Sequence, residues 1–183
     1  MALLAPPDHA EEYLNIIALD TVEDDDYLAV LKQLLQQAEE KINADFYRWH
    51  NITRLVKTRA WLVEQFVLEL WLRCDLHHHD LTLVAVGGFG RGDLQPFSDV
   101  DLLILFDQVL PEEAVSLFIQ NLWDLGLDVG HAVRTVAETV QLAAQNIVVA
   151  TNLMESRFLR GNPKLYRDMM TLTGDQRLSL IHI

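Results

Sequence analysis

The chain has 183 residues, of which 50% are hydrophobic and 22% charged, a composition typical of a folded globular domain and not of a disordered one. Its 14 lysines and arginines are outnumbered by 27 aspartates and glutamates, which gives a net charge of -13. Binding to nucleic acid relies on lysine and arginine contacts to phosphate, so this charge argues against a nucleic-acid partner.

The termini and the cysteine content argue for a cytoplasmic protein. The first lysine or arginine is Lys32, so no basic signal region exists, and no apolar run reaches the roughly 18 residues that cross a bilayer. We therefore expect no membrane partner. The single cysteine, Cys74, cannot form an internal disulfide, and its apolar helical surroundings predict a small core residue.

The first third of the chain is predicted to be helical. Residues 1–26 are interpreted as an acidic arm with no assigned chemistry, and residues 27–79 as a helical lead-in. Two helices, starting near Tyr27 and Ile52, carry apolar residues at helical spacing, which we interpret as core that supports a sheet. The segment HHHD at 77–80 is interpreted as a solvated loop, because consecutive histidines alternate in direction and zinc ligands are normally separated by turns.

The most informative segment is GGFGRGDLQPFSDVD at 87–101, which follows an apolar strand predicted at Leu81 to Val86. Glycines after a strand let the backbone approach a phosphate with its N–H groups free to donate. Asp99 and Asp101 open a second predicted strand, Val100 to Phe106, and their spacing puts both carboxylates on one face. A divalent cation relieves their repulsion, and Mg²⁺ typically binds one or two carboxylates plus substrate phosphate oxygens.

Each half of this segment has a simpler alternative, because glycine-rich turns are common and an aspartate near a strand often makes only a turn hydrogen bond. The combination of strand, glycine pair and Asp-x-Asp resembles the polymerase-β-like nucleotidyltransferase superfamily. The longer string resembles the bacterial PII uridylyltransferase/uridylyl-removing family, whose pattern is Gly-Gly-Tyr-Gly-Arg-Gly-Glu-Leu, a spacer with proline, then Ser-Asp-(Ile/Val)-Asp-Leu-Leu. Phe89 replaces the tyrosine and Asp93 the glutamate, and neither change removes a needed glycine or carboxylate.

A second match lies in LWDLGLDVGHAVRT at 122–135, which resembles the same family's Leu-Trp-Asp-x-Gly-Leu-x-Val-Gly-His-Ser-Val-Arg-Thr with Ala132 in place of serine. The superfamily places its third carboxylate in an apolar-acid-apolar triplet on a neighbouring strand. Asp128 is therefore the candidate, on a strand predicted from Leu127 to Val133. The alternative is that Asp128 is a solvent-facing strand residue, since alternation needs no catalytic explanation.

The resemblance implies an α+β fold with a polymerase-β-like core, in which a mixed sheet is flanked by helices and residues 80–160 form the nucleotidyltransferase domain. It implies transfer of UMP from UTP to a tyrosine hydroxyl of the PII signalling protein. It assigns two Mg²⁺ ions to Asp99, Asp101 and Asp128, and the UTP phosphates to Gly87, Gly88, Arg91 and Ser98. His131 and Arg134 are further candidates.

Three alternatives stay open at this point. The first is that the domain is a catalytically silent nucleotide-binding module, although an intact acid pair argues against it. The second is that the domain is an adenylyl-transferring relative, because the motifs do not show which base is selected. Arg91 is alternatively a solvated surface residue of the turn, since arginine also serves that role.

The last third is predicted to be helical around one more strand. A helix starts at Pro111, Thr135 has capping-box spacing for another, and a third is predicted from Ile147 to Leu159. Residues 161–183 are interpreted as a truncated helical continuation. Because the family continues for several hundred residues, we expect a fragment, with apolar surface exposed near the carboxyl end at Phe158, Leu165 and Met169.

Overall fold

The computed structural model describes residues 3–14 and 27–180, with side chains of the last helix described to residue 174. The predicted lead-in is present as two long helices, α1 (Tyr27–Trp49) and α2 (Ile52–Arg73). Asn51 starts α2 by accepting a hydrogen bond from the backbone N–H of Arg54 at 3.0 Å. Of the acidic arm, residues 3–14 are described, whereas the acidic run at 23–26 lies outside the described residues.

The rest of the described chain alternates strands and helices around one sheet. In chain order these elements are β1 (Leu81–Ala85), α3 (Gly87–Gly90), β2 (Val100–Phe106), α4 (Glu112–Asp124), β3 (Val129–Thr135), α5 (Val136–Gln145), α6 (Ile147–Met154), β4 (Arg157–Gly161) and α7 (Pro163–Leu180). The strand order is β3-β2-β1-β4; β1 is antiparallel to β2 and β4, and β2 is parallel to β3. The predicted mixed sheet flanked by helices, an α+β fold, is confirmed.

The sheet has two faces with different coverings. The first face, represented on β2 by Leu102 and Ile104, packs in one large apolar cluster with α1, α2 and α4. The second face, represented by Leu103 and Leu105, packs in a smaller cluster with α5, α6 and α7. Because side chains alternate along a strand, each residue of β2 belongs to one face or the other.

Two predicted elements have boundaries that are wrong by two residues or more. β3 begins at Val129 and not at Leu127, because the turn that ends α4 extends through Leu127, whose N–H donates to the Leu122 carbonyl at 3.2 Å. The helix predicted over Ile147 to Leu159 ends at Met154, and β4 follows it. That strand forms because β1 offers a free edge to it, a long-range pairing that local periodicity does not reveal.

The predicted capping box is confirmed: the Thr135 hydroxyl accepts from Glu138 N–H at 3.2 Å, and the Glu138 carboxylate accepts from Thr135 N–H at 2.8 Å. Cys74 is buried, as predicted. The expected apolar surface near the carboxyl end is wrong for Leu165 and Met169, which are buried because α7 packs on the second face. Among the described residues, no helix has the length and apolar character needed to span a membrane.

Candidate active site

The glycine turn, residues 87–92, leaves the end of β1 and begins as the four-residue helix α3. Gly87 and Gly92 have φ of 58° and 74°, in the left-handed region that favours glycine. The turn is closed by hydrogen bonds from Arg91 N–H to the Gly87 carbonyl at 3.1 Å and from Asp93 N–H to the Gly88 carbonyl at 2.9 Å. The first N–H groups of a helix have no partner within it, so those of Gly87 and Gly88 are not used by α3.

Asp101 lies between this turn and β3. It is in register with Gly130 on the parallel neighbour strand. A Cβ atom at Gly130 would lie 2.5 Å from Oδ1 of Asp101, and a Cβ at Gly87 would lie 3.2 Å from Oδ2. The two glycines therefore leave the space that the carboxylate fills. By strand alternation with Leu103, Asp101 is on the second face of the sheet.

The other two predicted acids flank this position. Asp99 is exposed two residues before Asp101; burial raises the pKa of the Asp101 carboxyl, and the charge of Asp99 raises it further. Asp128 is exposed one residue before β3, and its carbonyl accepts from Val100 N–H at 2.7 Å, which extends the parallel ladder by one step. Within the described part of the chain, the three aspartates do not bring one ligand atom each within 4.8 Å of one another. Like charges repel, so a wider spacing is expected of carboxylates alone.

Ser98 and Arg91 are the two side chains predicted to bind phosphate. Ser98 is half-buried beside Asp99, and its backbone N–H donates to the Gln95 carbonyl at 3.1 Å. The Arg91 guanidinium is exposed; Nη2 lies 3.7 Å from a Cβ placed on Gly88. It also contacts the carboxylate of Glu155, and its Nε lies 3.7 Å from Asp93. Arg91 is thus close to the glycine turn but is shared with two carboxylates.

Phe97 immediately precedes Ser98 and is 98% exposed, with φ of 65°. A bulky residue in the left-handed region is uncommon, and so is an aromatic ring almost wholly in solvent. Phe97, Ser98 and Asp128 border a groove of about 750 Å³ between α1 and the loops that precede β2 and β3. The groove opens at the same end of the sheet as Asp99.

His131 and Arg134, the two further candidates, both lie away from Asp101. His131 lies on the first face, where its ring is 5.8 Å from that of Trp123 on α4. Arg134 lies four residues beyond Gly130, about 13 Å along the strand at 3.3 Å per residue. Neither residue therefore joins the acids and the glycine turn.

Residues that the sequence prediction missed surround the glycine turn. Gly130 could have been found from the sequence, because a glycine inside a strand often marks a place where another group approaches the backbone closely. Asn152, on α6, places its side-chain oxygen 4.0 Å from a Cβ on Gly87. Glu64 and Arg157 form a buried ion pair beside the turn. They come from α2 and β4, 93 positions apart, and no local pattern links them.

The histidine segment at 77–80 is exposed, as predicted for a solvated loop, but two of its histidines lie closer together than predicted. Asp75, His77 and His78 bring their ligand atoms within 4.8 Å of one another, and all three are exposed. The cause is the turn Leu76–His78, which follows Asp75 in the left-handed region at φ 56° and brings the two histidine ring centres within 3.8 Å, with the ring planes tilted by 42°. This group precedes the start of β1, whereas the glycine turn follows its end, so the two are at opposite ends of the sheet.

A glycine turn after one strand of a mixed sheet, with aspartates at the start of the next strand, defines a nucleotidyltransferase-type core. Residues 63–152 match the family described as the nucleotidyltransferase domain. These residues therefore form a nucleotidyltransferase domain, the domain of a transferase, and the α+β sheet is consistent with the predicted polymerase-β-like type.

The chain is also similar to curated proteins whose name states a specific activity. The chain is 43% identical over 155 residues to the bifunctional uridylyltransferase/uridylyl-removing enzyme of Stutzerimonas stutzeri, a match covering 82% of the chain. It is 43% identical over 151 residues to that of Azotobacter vinelandii, covering 80% of the chain, and 41% identical over 155 residues to that of Pseudomonas aeruginosa, covering 82%. In each comparison the match spans 17% of the relative's own length.

Proposed function

We propose that this chain transfers UMP from UTP to a tyrosine hydroxyl of a PII-type signalling protein in the cytoplasm, with Mg²⁺ as cofactor. The observation that carries the proposal is the position of Asp101, whose carboxylate fills the space left by Gly87 and Gly130 beside the glycine turn. The similarity to uridylyltransferases supports the choice of nucleotide. The net charge of -13 supports a protein acceptor over a nucleic acid.

The chemistry of the donor set suits two Mg²⁺ ions. Asp99, Asp101 and Asp128 offer carboxylate oxygens, which are the protein ligands that Mg²⁺ prefers, and substrate phosphate oxygens complete its coordination. Burial and the charge of Asp99 raise the pKa of Asp101, so its ionised form is less favourable than in a free carboxyl, and a bound cation relieves this cost. When bound, the metal neutralises charge on the attacking and leaving oxygens.

The protein's own residues bind and orient the triphosphate. The N–H groups of Gly87 and Gly88, together with the Ser98 hydroxyl, are proposed to donate to the β- and γ-phosphates. Arg91 supplies the nearby positive charge, and phosphate then competes with Glu155 for the guanidinium. Asn152 is placed to contact either the nucleotide or the side of the turn.

The reaction is an in-line displacement at the α-phosphorus. The tyrosine hydroxyl gives its proton to solvent water and its oxygen forms a bond to that phosphorus, while the bond between the α-phosphorus and the oxygen that bridges to the β-phosphate breaks. Pyrophosphate leaves with the bridging oxygen. Orientation supplies much of the rate in such a step, and the glycine turn is proposed to contribute by holding the triphosphate in place.

Label transfer tests the proposal. The chain is incubated with Mg²⁺, a PII protein and UTP or ATP labelled at the α-phosphate, beside the Azotobacter vinelandii relative as a positive control and a PII variant with phenylalanine at the acceptor tyrosine. We expect Mg²⁺-dependent label from UTP on the tyrosine-bearing acceptor only, and much less of it with this chain than with the full-length relative. Label from ATP would support an adenylyl-transferring enzyme instead. UTP binding that is unaffected by a chelator, with no transfer, would support a silent nucleotide-binding module.

A further inference from the structure

A buried ion pair touches the glycine turn from the side opposite to Asp101. Glu64 on α2 has a side chain with 0% exposure, and Arg157 at the start of β4 has 11%. Arg157 Nη1 donates to the Glu64 carboxylate. Charged side chains are almost never fully buried unless paired, and the pair is retained at a cost in desolvation. A net gain in stability therefore does not explain why this ion pair is buried here, and its position beside the glycine turn suggests another role.

The remaining donors of Arg157 are directed at the turn itself. Nε donates to the Gly90 carbonyl at 3.2 Å, and Nη2 donates to the Phe89 carbonyl at 3.2 Å. Both carbonyls lie at the end of α3, and that of Phe89 also accepts from the Gly92 N–H at 3.0 Å, so Arg157 adds a second partner there. The guanidinium also lies 5.9 Å from the centre of the Phe89 ring. One planar group thus binds two successive carbonyls and a buried carboxylate at fixed angles, which an ammonium group cannot do.

The amino-terminal segment completes this arrangement. Leu4 N–H donates to the second oxygen of Glu64 at 2.9 Å. The Leu4 side chain lies against the turn, where a Cβ on Gly92 would be 2.6 Å from one of its methyl groups. The arm to which the sequence assigned no chemistry therefore contacts both the ion pair and the glycine turn.

We propose that Leu4, Glu64 and Arg157 form a turn clamp that positions the glycine turn for the nucleotide phosphates. All three are positioning residues, since they act through the backbone of residues 87–92. The proposal rests on the proposed function, because it takes the glycine turn as the phosphate-binding element. It adds a set of residues from three distant parts of the chain that set the affinity for Mg·UTP.

The substitution Arg157→Lys tests the clamp, since it keeps the charge but loses the planar set of donors. The matched control is Arg73→Lys: Arg73 has 14% exposure and pairs with Glu69 along α2 at 2.6 Å, away from the turn. Dissociation constants for Mg·UTP are measured at a temperature where circular dichroism shows both variants folded. We expect affinity to fall about tenfold in Arg157→Lys, as expected for a displaced binding element, and to stay unchanged in Arg73→Lys.

Hydrogen exchange supplies a readout that needs no nucleotide. The N–H groups of Arg91, Gly92 and Asp93 close the turn by hydrogen bonds of 2.9 to 3.1 Å, so their exchange reports its opening. We expect exchange about tenfold faster in Arg157→Lys and unchanged in Arg73→Lys, in proportion to the weakened clamp. Glu64→Gln, which keeps an acceptor for Leu4 but removes the charge, is expected to give a smaller change in the same direction.

The outcomes separate the two proposals. If the parental chain does not bind Mg·UTP, the proposed function fails, and faster exchange in Arg157→Lys alone would still establish the clamp on the turn. Faster exchange with unchanged affinity would overturn the role of the clamp in nucleotide binding. Unchanged exchange in Arg157→Lys, or an equal effect of Arg73→Lys, would overturn the clamp itself.

Discussion

The two faces of the sheet differ in what they contain, although they share the same four strands. The first face is covered by α1, α2 and α4 and is packed with large apolar side chains, among them Trp71 and Phe118 with ring centres 5.5 Å apart. The second face has a smaller apolar cluster and carries Asp101. One side of each strand thus stabilises the domain, and the other side provides the candidate site.

On strand β2, residues that stabilise the domain lie directly next to a residue of the candidate site. Leu102 and Ile104 are buried on the first face, whereas Asp101 lies one residue before Leu102 and faces the glycine turn. A charge at the edge of a buried strand costs stability, and the large first face supplies the apolar burial that offsets it. Substitutions at adjacent positions are therefore expected to affect different properties.

The largest effect is expected from breaking the first face. Phe118→Ala removes a fully buried ring and leaves a cavity beside Trp71, so the free energy of unfolding should fall by about 3–5 kcal/mol. That is a large share of the stability of an ordinary domain. Urea unfolding measures it. Leu117→Ala, at the neighbouring exposed position, is the control and should stay within about 0.5 kcal/mol of the parent.

Neutralising an acid of the candidate site should reduce activity and leave the stability of the fold unchanged or slightly higher. Asp99→Asn or Asp101→Asn is expected to reduce nucleotidyl transfer at least about 100-fold, roughly 3 kcal/mol, by loss of metal binding. The pKa of Asp101 is raised by burial, so its ionised form opposes folding at neutral pH, and Asp101→Asn should keep or slightly raise the melting temperature.

The acid prediction has a control next to the same strand. Asp107 is exposed just beyond the other end of β2, and Asp107→Asn should leave transfer unchanged. Retention of more than a tenth of parental turnover by either site variant would rule out the two-metal assignment. A loss of melting temperature as large as that of Phe118→Ala would show that the two faces are not separable.

A smaller effect should follow from filling the space beside Asp101. In Gly130→Ala the new methyl group would stand 2.5 Å from the carboxylate, so the side chain must shift, and we expect Mg·UTP affinity to fall about tenfold. Calorimetry with and without chelator measures it. Gly174→Ala, in open space on α7, should leave affinity unchanged and stabilise the helix by up to about 1 kcal/mol. Equal affinities of both variants would contradict the tight fit around Asp101.

The smallest effect concerns Cys74, on the first face. Burial raises the pKa of this thiol, which lowers the thiolate fraction at neutral pH and hence the alkylation rate. We expect iodoacetamide to react at least about tenfold more slowly with the folded chain than with the unfolded one. The same slow rate in Asp101→Asn would show that the first face is intact. Fast alkylation of the folded parent would contradict the burial of Cys74.

The sequence predicted those parts of the fold that depend on local signals. The stripes of α1 and α2, the capping box at Thr135 and the strands beside the glycine turn are each specified within a few residues. β4 was missed because its apolar residues also fit a helix, and only the edge of β1 makes it a strand. The acids follow from a short motif, whereas Gly130, Asn152 and Arg157 reach the turn by packing of distant elements.

The pairing of β4 with β1 has a consequence for synthesis of the chain. The Thr82 hydroxyl donates to the Asn162 carbonyl, 80 residues later, so this edge forms only after the intervening elements exist. Ribosomes add about 5–20 residues per second, and the interval between emergence of β2 and β4 is therefore about 3–11 s. During this interval the nascent polypeptide contains the glycine turn, Asp99 and Asp101 but not Arg157. We expect a ribosome-bound chain halted before β4 to retain little UTP, and release of the halt to restore binding.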